Sequence, residues 1–224
     1  MNNALLKELT DIDFKKILEL IDKKEIPDNF DNLKDNVYRF NLDEITQNYI
    51  FREQCINKIG YVLLSHNLIN ALAAYLKNKK CLEVMAGCGS ISKCLKDKGI
   101  DIIATDNYSW NNYYCWFNKN NNWCDIENID CVKAIQKYGQ SIDYIIMSWP
   151  PYDSPEANNV LLEVQRINKE FNKNIKIIYI GEGKGGCTAN DDFFENIMHV
   201  NNLKHINKHF YNHFGIHDFI IELY

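Results

Sequence analysis

From residue 81 onward the chain alternates short apolar runs with helical stretches, and this rhythm constrains the fold more than any other feature. The runs are Cys81-Leu82-Glu83-Val84, residues 100–105, a weaker one near residues 126–129, residues 144–147 and residues 175–180. Runs this short and this continuously apolar predict strands buried on both faces, and helices between them make the connections parallel. The expected architecture is a doubly wound α/β sheet. The end of the chain departs from the rhythm. Residues 203–211 and 217–224 are aromatic, β-prone runs joined by Asn212-His213-Phe214-Gly215-Ile216, which predicts a terminal antiparallel hairpin.

Helices precede the sheet. Phe14, Ile17, Leu18 and Ile21 recur at helical spacing behind Asp11 and Asp13, either of which is a candidate cap, in a helix running to about Lys24 and stopped by Pro27. Residues 26–43 are polar with scattered aromatics. A second helical pattern carries Ile45, Tyr49, Ile56 and Ile59, and Ser65 opens a third with Leu68, Ile69, Leu72, Tyr75 and Leu76 on its apolar side. A chain of 224 residues supports one substantial core. The expected organisation is a helical extension over residues 1–60 followed by one sheet domain over residues 61–224.

The composition narrows the functional classes. No apolar run approaches the roughly 20 residues of a membrane span, and residues 1–4 lead into a charged helix rather than a signal peptide, so the protein is expected to be cytoplasmic with no membrane partner. The 8 cysteines include no Cys-x-x-Cys pair, and several fall within apolar patterns, so neither a zinc site nor a disulfide framework is expected. A formal net charge of −5 argues against a whole-surface grip on nucleic acid. Lys77, Lys79, Lys80, Lys93, Lys96 and Lys98 form either a local basic patch or simply a solvated face.

The most informative stretch is Leu82-Glu83-Val84-Met85-Ala86-Gly87-Cys88-Gly89-Ser90, where a strand runs through small residues into a helix. Small residues at such a turn let a ligand approach the backbone, and the helix start offers free N–H groups, although a plain tight turn has the same spelling. The next strand ends in Asp106, about 20 residues on, the distance at which an acidic residue accepts hydrogen bonds from a ribose diol. Asp106-Asn107 also reads as a turn or helix cap.

These motifs resemble those of the class I S-adenosylmethionine-dependent methyltransferases, and the resemblance covers the chain from about residue 81 to its end. It implies a seven-stranded sheet, mostly parallel with a reversed strand in the C-terminal hairpin, in the order 3-2-1-4-5-7-6. It implies S-adenosylmethionine as cofactor, its amino acid end over Gly87 and Gly89, its ribose on Asp106, its adenine amino group on Asp130 and the backbone N–H of Cys131 facing the ring. Glu83, Ala86 and Asn107 complete the implied binding set. Met85 stands where many family members have a further glycine.

The fourth strand runs into Ser148-Trp149-Pro150-Pro151-Tyr152-Asp153, where two prolines stiffen the chain and remove two N–H donors, so that carbonyls are expected to face outward. The segment resembles the Asp/Asn/Ser-Pro-Pro-aromatic motif of methyltransferases acting on planar amino nitrogens. On that resemblance Ser148 and the Trp149 carbonyl accept from the amino group and Tyr152 stacks on the acceptor, with Trp149 departing from the polar residue of the pattern. A rigid corner carrying core aromatics is the other reading. The acceptor is a nucleobase, a protein amide or a small molecule, and a non-catalytic partner of the same fold is also compatible. Asp153 and Glu182 are candidate bases for an oxygen acceptor.

Three further features close the reading. The glycine-rich residues 181–192 suggest a lid, an acidic contact to a polar acceptor or a merely mobile loop. His205, His209, His213 and His217 recur every fourth residue, but in a hairpin that spacing scatters them, so no metal is expected. Arg52 is a candidate either for the cofactor carboxylate or for a surface ion pair.

Overall fold

A computed structural model describes residues 11–34, 42–109 and 121–224. The first 10 residues, residues 35–41 of the polar stretch and Cys115 lie outside the described residues. The N-terminal helices are α1 (Ile12–Asp22), α2 (Asp31–Lys34), α3 (Leu42–Ile59) and α4 (His66–Tyr75); α1, α3 and α4 follow the predicted spacing, whereas the short α2 lies in the polar stretch where no helix is predicted. Asp11 caps α1, its Oδ1 accepting from the N–H groups of Asp13 at 2.9 Å and Phe14 at 3.1 Å. Replacing Asp11 with alanine is expected to cost about 1 kcal/mol, read as a lower melting midpoint by circular dichroism. Ser65 caps α4 in the same way, accepting from Leu68 at 3.3 Å.

The sheet and its connections follow in the order β1 (Lys80–Val84), α5 (Ser90–Asp97), β2 (Asp101–Asp106), β3 (Glu127–Asn128), α6 (Cys131–Tyr138), β4 (Tyr144–Ser148), α7 (Glu156–Phe171), β5 (Lys176–Gly181), α8 (Asp191–Asn196), β6 (Val200–Asn202), α9 (Lys204–Asn207) and β7 (Phe219–Leu223). The 7 strands of the described residues lie in the order β3-β2-β1-β4-β5-β7-β6. The first five pair in parallel, while β7 runs antiparallel to both β5 and β6.

Side-chain alternation explains the two apolar layers. Tyr144, Ile146, Ile178, Ile180 and Ile220 face one side, where they join α1, α3, α4, α5 and the segment around α9 in one cluster. Ile145, Met147, Ile177, Tyr179, Ile221 and Leu223 face the other side and pack with α6, α7 and α8. The helices of residues 12–59 therefore share a core with the sheet. Phe14 stacks on Phe51 at 4.3 Å, Phe51 meets His213 at 5.8 Å and Phe30 meets Tyr211 at 5.0 Å.

The terminal hairpin needs a correction. A reversed last strand is present, but its partner is Val200–Asn202, paired so that Val200 faces Leu223, and not residues 203–211. That aromatic run instead turns through α9 and a loop, with Leu203, Ile206, Phe210 and Tyr211 buried against the N-terminal helices. No helix among the described residues is long and apolar enough to cross a membrane.

Candidate functional site

The sheet order reverses between β1 and β4, and in open α/β sheets ligands lie at such a switch point, outside the carboxyl ends of the strands. The residues singled out by sequence converge there from β1, β2 and β4. The turn after β1 passes through Met85, Gly87 and Gly89 at φ values of 54°, 56° and 72°, and Gly89 is the residue preceding α5. The two glycines are required for different reasons. A Cβ on Gly89 would stand 2.8 Å from the Cys124 Sγ, whereas a Cβ on Gly87 would meet nothing within 4 Å. Gly87 thus faces open space, and the strained Met85 marks a backbone held in an unfavourable region beside it.

Asp106 closes the turn from the neighbouring strand. It is 4% exposed, and its Oδ2 accepts from the Gly87 N–H at 2.8 Å while Oδ1 accepts from the Tyr108 N–H at 2.6 Å. Each carboxylate oxygen can accept more than one hydrogen bond. Ala86 links the same strands through its N–H to the Thr105 carbonyl at 3.0 Å. Asn107 is committed locally, its Oδ1 accepting from Ser109 at 2.9 Å.

Glu83 lies beneath the turn. Its carboxylate faces α5, accepting from the Ser92 N–H at 3.0 Å and the Ser92 hydroxyl at 2.5 Å. Burial pushes its pKa up to about 7, opposed by the two Ser92 bonds and reinforced by the nearby Asp106 charge. Glu83 therefore binds β1 to the helix whose start the turn presents. Asp130 caps α6, Oδ1 accepting from Val132 at 3.0 Å and Lys133 at 3.2 Å, and Cys131 behind it is buried. Asp130 follows β3, next to the strand that ends in Asp106.

At the end of β4, Ser148 is half-buried and Tyr152 is 52% exposed, while Asp153 is exposed. Trp149 has φ 49°, and its N–H donates to the Ile180 carbonyl at 2.8 Å. Its indole stacks on Tyr61 at 4.1 Å and donates Nε1–H to the Asp218 Oδ2 at 2.9 Å. Asn212 holds the other Asp218 oxygen at 2.6 Å. Burial raises the Asp218 pKa, against the lowering effect of the Trp149 and Asn212 bonds. The sequence reading missed Tyr61, Asp218 and Asn212. The expectation of outward, unpaired carbonyls fails at Pro150, whose oxygen accepts from the Ala189 N–H at 3.0 Å, and Pro151 bridges Thr188 beside it.

That bridge ties down the glycine-rich loop at its end. Thr188 also meets the Tyr179 hydroxyl at 2.6 Å, and Glu182 accepts from Cys187 at 2.7 Å and His217 at 2.9 Å. Burial opposes ionisation of Glu182, but these backbone donors outweigh it and hold its pKa below the ordinary value. One Glu182 oxygen thus closes the loop on itself and the other ties it to the segment before β7. The four histidines do not converge: His205 sits in α9 against Tyr75, whereas His213 is buried against Phe51 and Tyr211. The described residues contain no group of acidic, cysteine and histidine side chains arranged to hold a metal.

No protein-family model and no curated protein matches the chain. Among solved structures it is similar to magnesium protoporphyrin IX methyltransferase (ChlM) from Synechocystis PCC 6803 with bound SAM, at 12% identity over 100% of this chain and 99% of that one, with a TM-score of 0.41. It is similar to TehB from Haemophilus influenzae at 11% identity over 77% and 65% of the two chains, with a TM-score of 0.40. It is also similar to the Pyrococcus abyssi tRNA (uracil-54, C5)-methyltransferase in complex with S-adenosyl-L-homocysteine, at 17% identity over 71% of this chain and 38% of that one, with a TM-score of 0.38. The strand order 3-2-1-4-5-7-6, with its single reversed strand β7 among the described residues, is the arrangement of the class I S-adenosylmethionine-dependent methyltransferases, and this chain has their fold.

Proposed function

We propose that this chain binds S-adenosylmethionine across the ends of β1, β2 and β3 and transfers its methyl group to an amino nitrogen held beside residues 148–153. The observation that carries this reading is the Asp106–Gly87 contact of 2.8 Å, which sets a buried carboxylate against a turn whose open side can receive a ligand. Asp106 would take the ribose hydroxyls, the Gly87 and Gly89 backbone the amino acid end, and Asp130 with Cys131 the adenine. Glu83, Ala86 and Asn107 support this cradle through the contacts described above. The bound sulfonium supplies an electrophilic methyl group. The residues of this chain supply alignment, which accounts for most of the acceleration such a displacement needs. At the acceptor side Ser148 and the Trp149 carbonyl would orient the amino group, Tyr152 would offer a face for stacking, and Asp153 stands near the exit for the released proton. Pro150 and Pro151 hold that corner in shape.

A small-molecule acceptor is favoured over a nucleobase in duplex or a protein amide by one observation. The segment after α3 reaches the acceptor side, with Tyr61 stacked on Trp149, and α3 itself meets the loop before β7, with the Arg52 Nη1 donating to the Phe214 carbonyl at 3.2 Å. The test is isothermal titration with S-adenosylmethionine and S-adenosylhomocysteine. One saturable site for each is expected, and no binding of either would overturn the reading.

A further inference from the structure

Arg52 lies on α3, facing the loop of residues 212–218 that also carries Asp218, the partner of Trp149. Its side chain is only 19% exposed, and a cation that deep needs compensation. The compensation present is incomplete. Glu53 approaches at 3.4 Å from a side chain that is itself 41% exposed, the Phe214 carbonyl accepts one bond, and the Tyr49 ring lies 4.8 Å below the guanidinium. The Arg52 Nε is sealed from solvent with no hydrogen-bond partner among the described residues.

The loop presents a second orphan. His213 is 4% exposed, and its Nε2 also lacks a partner among the described residues. Burial and then the Arg52 charge press its pKa down to about 3, so the ring is neutral and adds no second positive charge beside Arg52. A buried polar group left unmet costs about 1–3 kcal/mol, and a single anion within reach of both would satisfy the two of them. An anion accepts from the Arg52 Nε–H, and it selects the His213 tautomer that carries its proton on Nε2. Tyr49, which overlies Arg52, is 53% exposed, so the guanidinium lies just beneath the surface.

We propose that Arg52 and His213 form the subsite that recognises a carboxylate or phosphate group at the end of a small methyl acceptor. The proposal rests on the cofactor reading above and deepens it. Both groups lie beneath the surface, which favours a terminal anion over the phosphodiester chain of a nucleic acid lying on it.

The test uses the full chain with 15N-labelled histidine, titrated with inorganic phosphate and, separately, acetate, while the imidazole nitrogens are followed by NMR. Phosphate or acetate in the millimolar range is expected to move the His213 Nε2 resonance saturably toward the N–H type, and the tighter of the two names the acceptor's terminal group. Arg52→Gln is expected to weaken that binding at least tenfold and Arg52→Lys about threefold, with melting by circular dichroism confirming that each variant is folded. S-adenosylmethionine affinity in Arg52→Gln is expected to stay within twofold of wild type. Absence of a saturable shift at His213, or anion binding unchanged in Arg52→Gln, overturns the subsite. A loss of S-adenosylmethionine affinity in that variant, or competition between phosphate and S-adenosylmethionine, assigns Arg52 to the cofactor and overturns the acceptor role. Displacement of phosphate by a single-stranded oligonucleotide overturns the small-molecule assignment. Anion binding in a wild-type protein that takes no S-adenosylmethionine removes the cofactor reading, and with it the acceptor role, while leaving the anion site itself in place.

Discussion

Asp106→Ala is expected to weaken S-adenosylmethionine binding about 100-fold in isothermal titration. Two hydrogen bonds from ribose hydroxyls to a buried carboxylate contribute together about 3 kcal/mol, which is about two decades in affinity. The substitution also strips the acceptor from the Gly87 and Tyr108 N–H groups, so the melting midpoint should fall as well. Asparagine is not a gentle replacement at this position. Both Asp106 oxygens already face N–H donors, so a carboxamide introduced there would set its own NH2 group against one of them. Asp106→Asn is therefore expected to bind nearly as poorly as Asp106→Ala. Undiminished binding in the alanine variant would remove the ribose assignment.

The second large effect concerns pH and Glu83. The folded protein holds this carboxyl at about 7 against an ordinary value of 4.5, a difference of about 3 kcal/mol between its two protonation states. Between those two values the folded state binds more protons than the unfolded chain, so stability contributed by this group is greatest below pH 4.5 and declines as pH rises toward 7. Glu83→Gln imitates the protonated form and keeps one oxygen for Ser92. It is expected to flatten the decline across that window and to raise stability near pH 8 by up to about 3 kcal/mol, measured by urea unfolding at a series of pH values. A variant whose unfolding follows the wild-type pH curve would show that the carboxyl is already ionised throughout the window. Cofactor affinity is a separate readout, because Glu83 touches α5 and not the open side of the turn.

The sheet was legible because its core strands alternate two apolar faces without interruption, as Ile177 and Tyr179 against Ile178 and Ile180 illustrate. β6 was not legible for the same reason in reverse. Val200-Asn201-Asn202 lies wholly exposed at a sheet edge, so no burial pattern marks it. The aromatics of residues 203–211 suggested a strand, yet Phe210 and Tyr211 are apolar because α1 to α3 need a surface to pack on. Hydrophobicity alone does not name the partner.

At the site, Gly87 and Asp106 were readable because adjacent β-units place them at a fixed interval of 19 residues. The Trp149–Asp218 bond joins residues 69 apart and the Tyr61 stack comes from the segment after the N-terminal helix α3, so neither follows from local spacing. Glu83 and Asp130 carried the right residue type, but their immediate partners are helix starts, a detail that only the side-chain direction reveals.

The shared core of the N-terminal helices and the region around α9 has a consequence for how the chain is made. Phe14, Phe30 and Phe51 leave the ribosome before any strand of the sheet, whereas Tyr211 and His213, against which this layer closes, emerge only after β6. Until then these helices have apolar sides without cover, and closing the layer waits on a contact across all the residues of β1 to β6. A ribosome-bound chain stopped just before residue 203 should accordingly expose Phe30 to chaperones and proteases, although every strand but β7 has been synthesised.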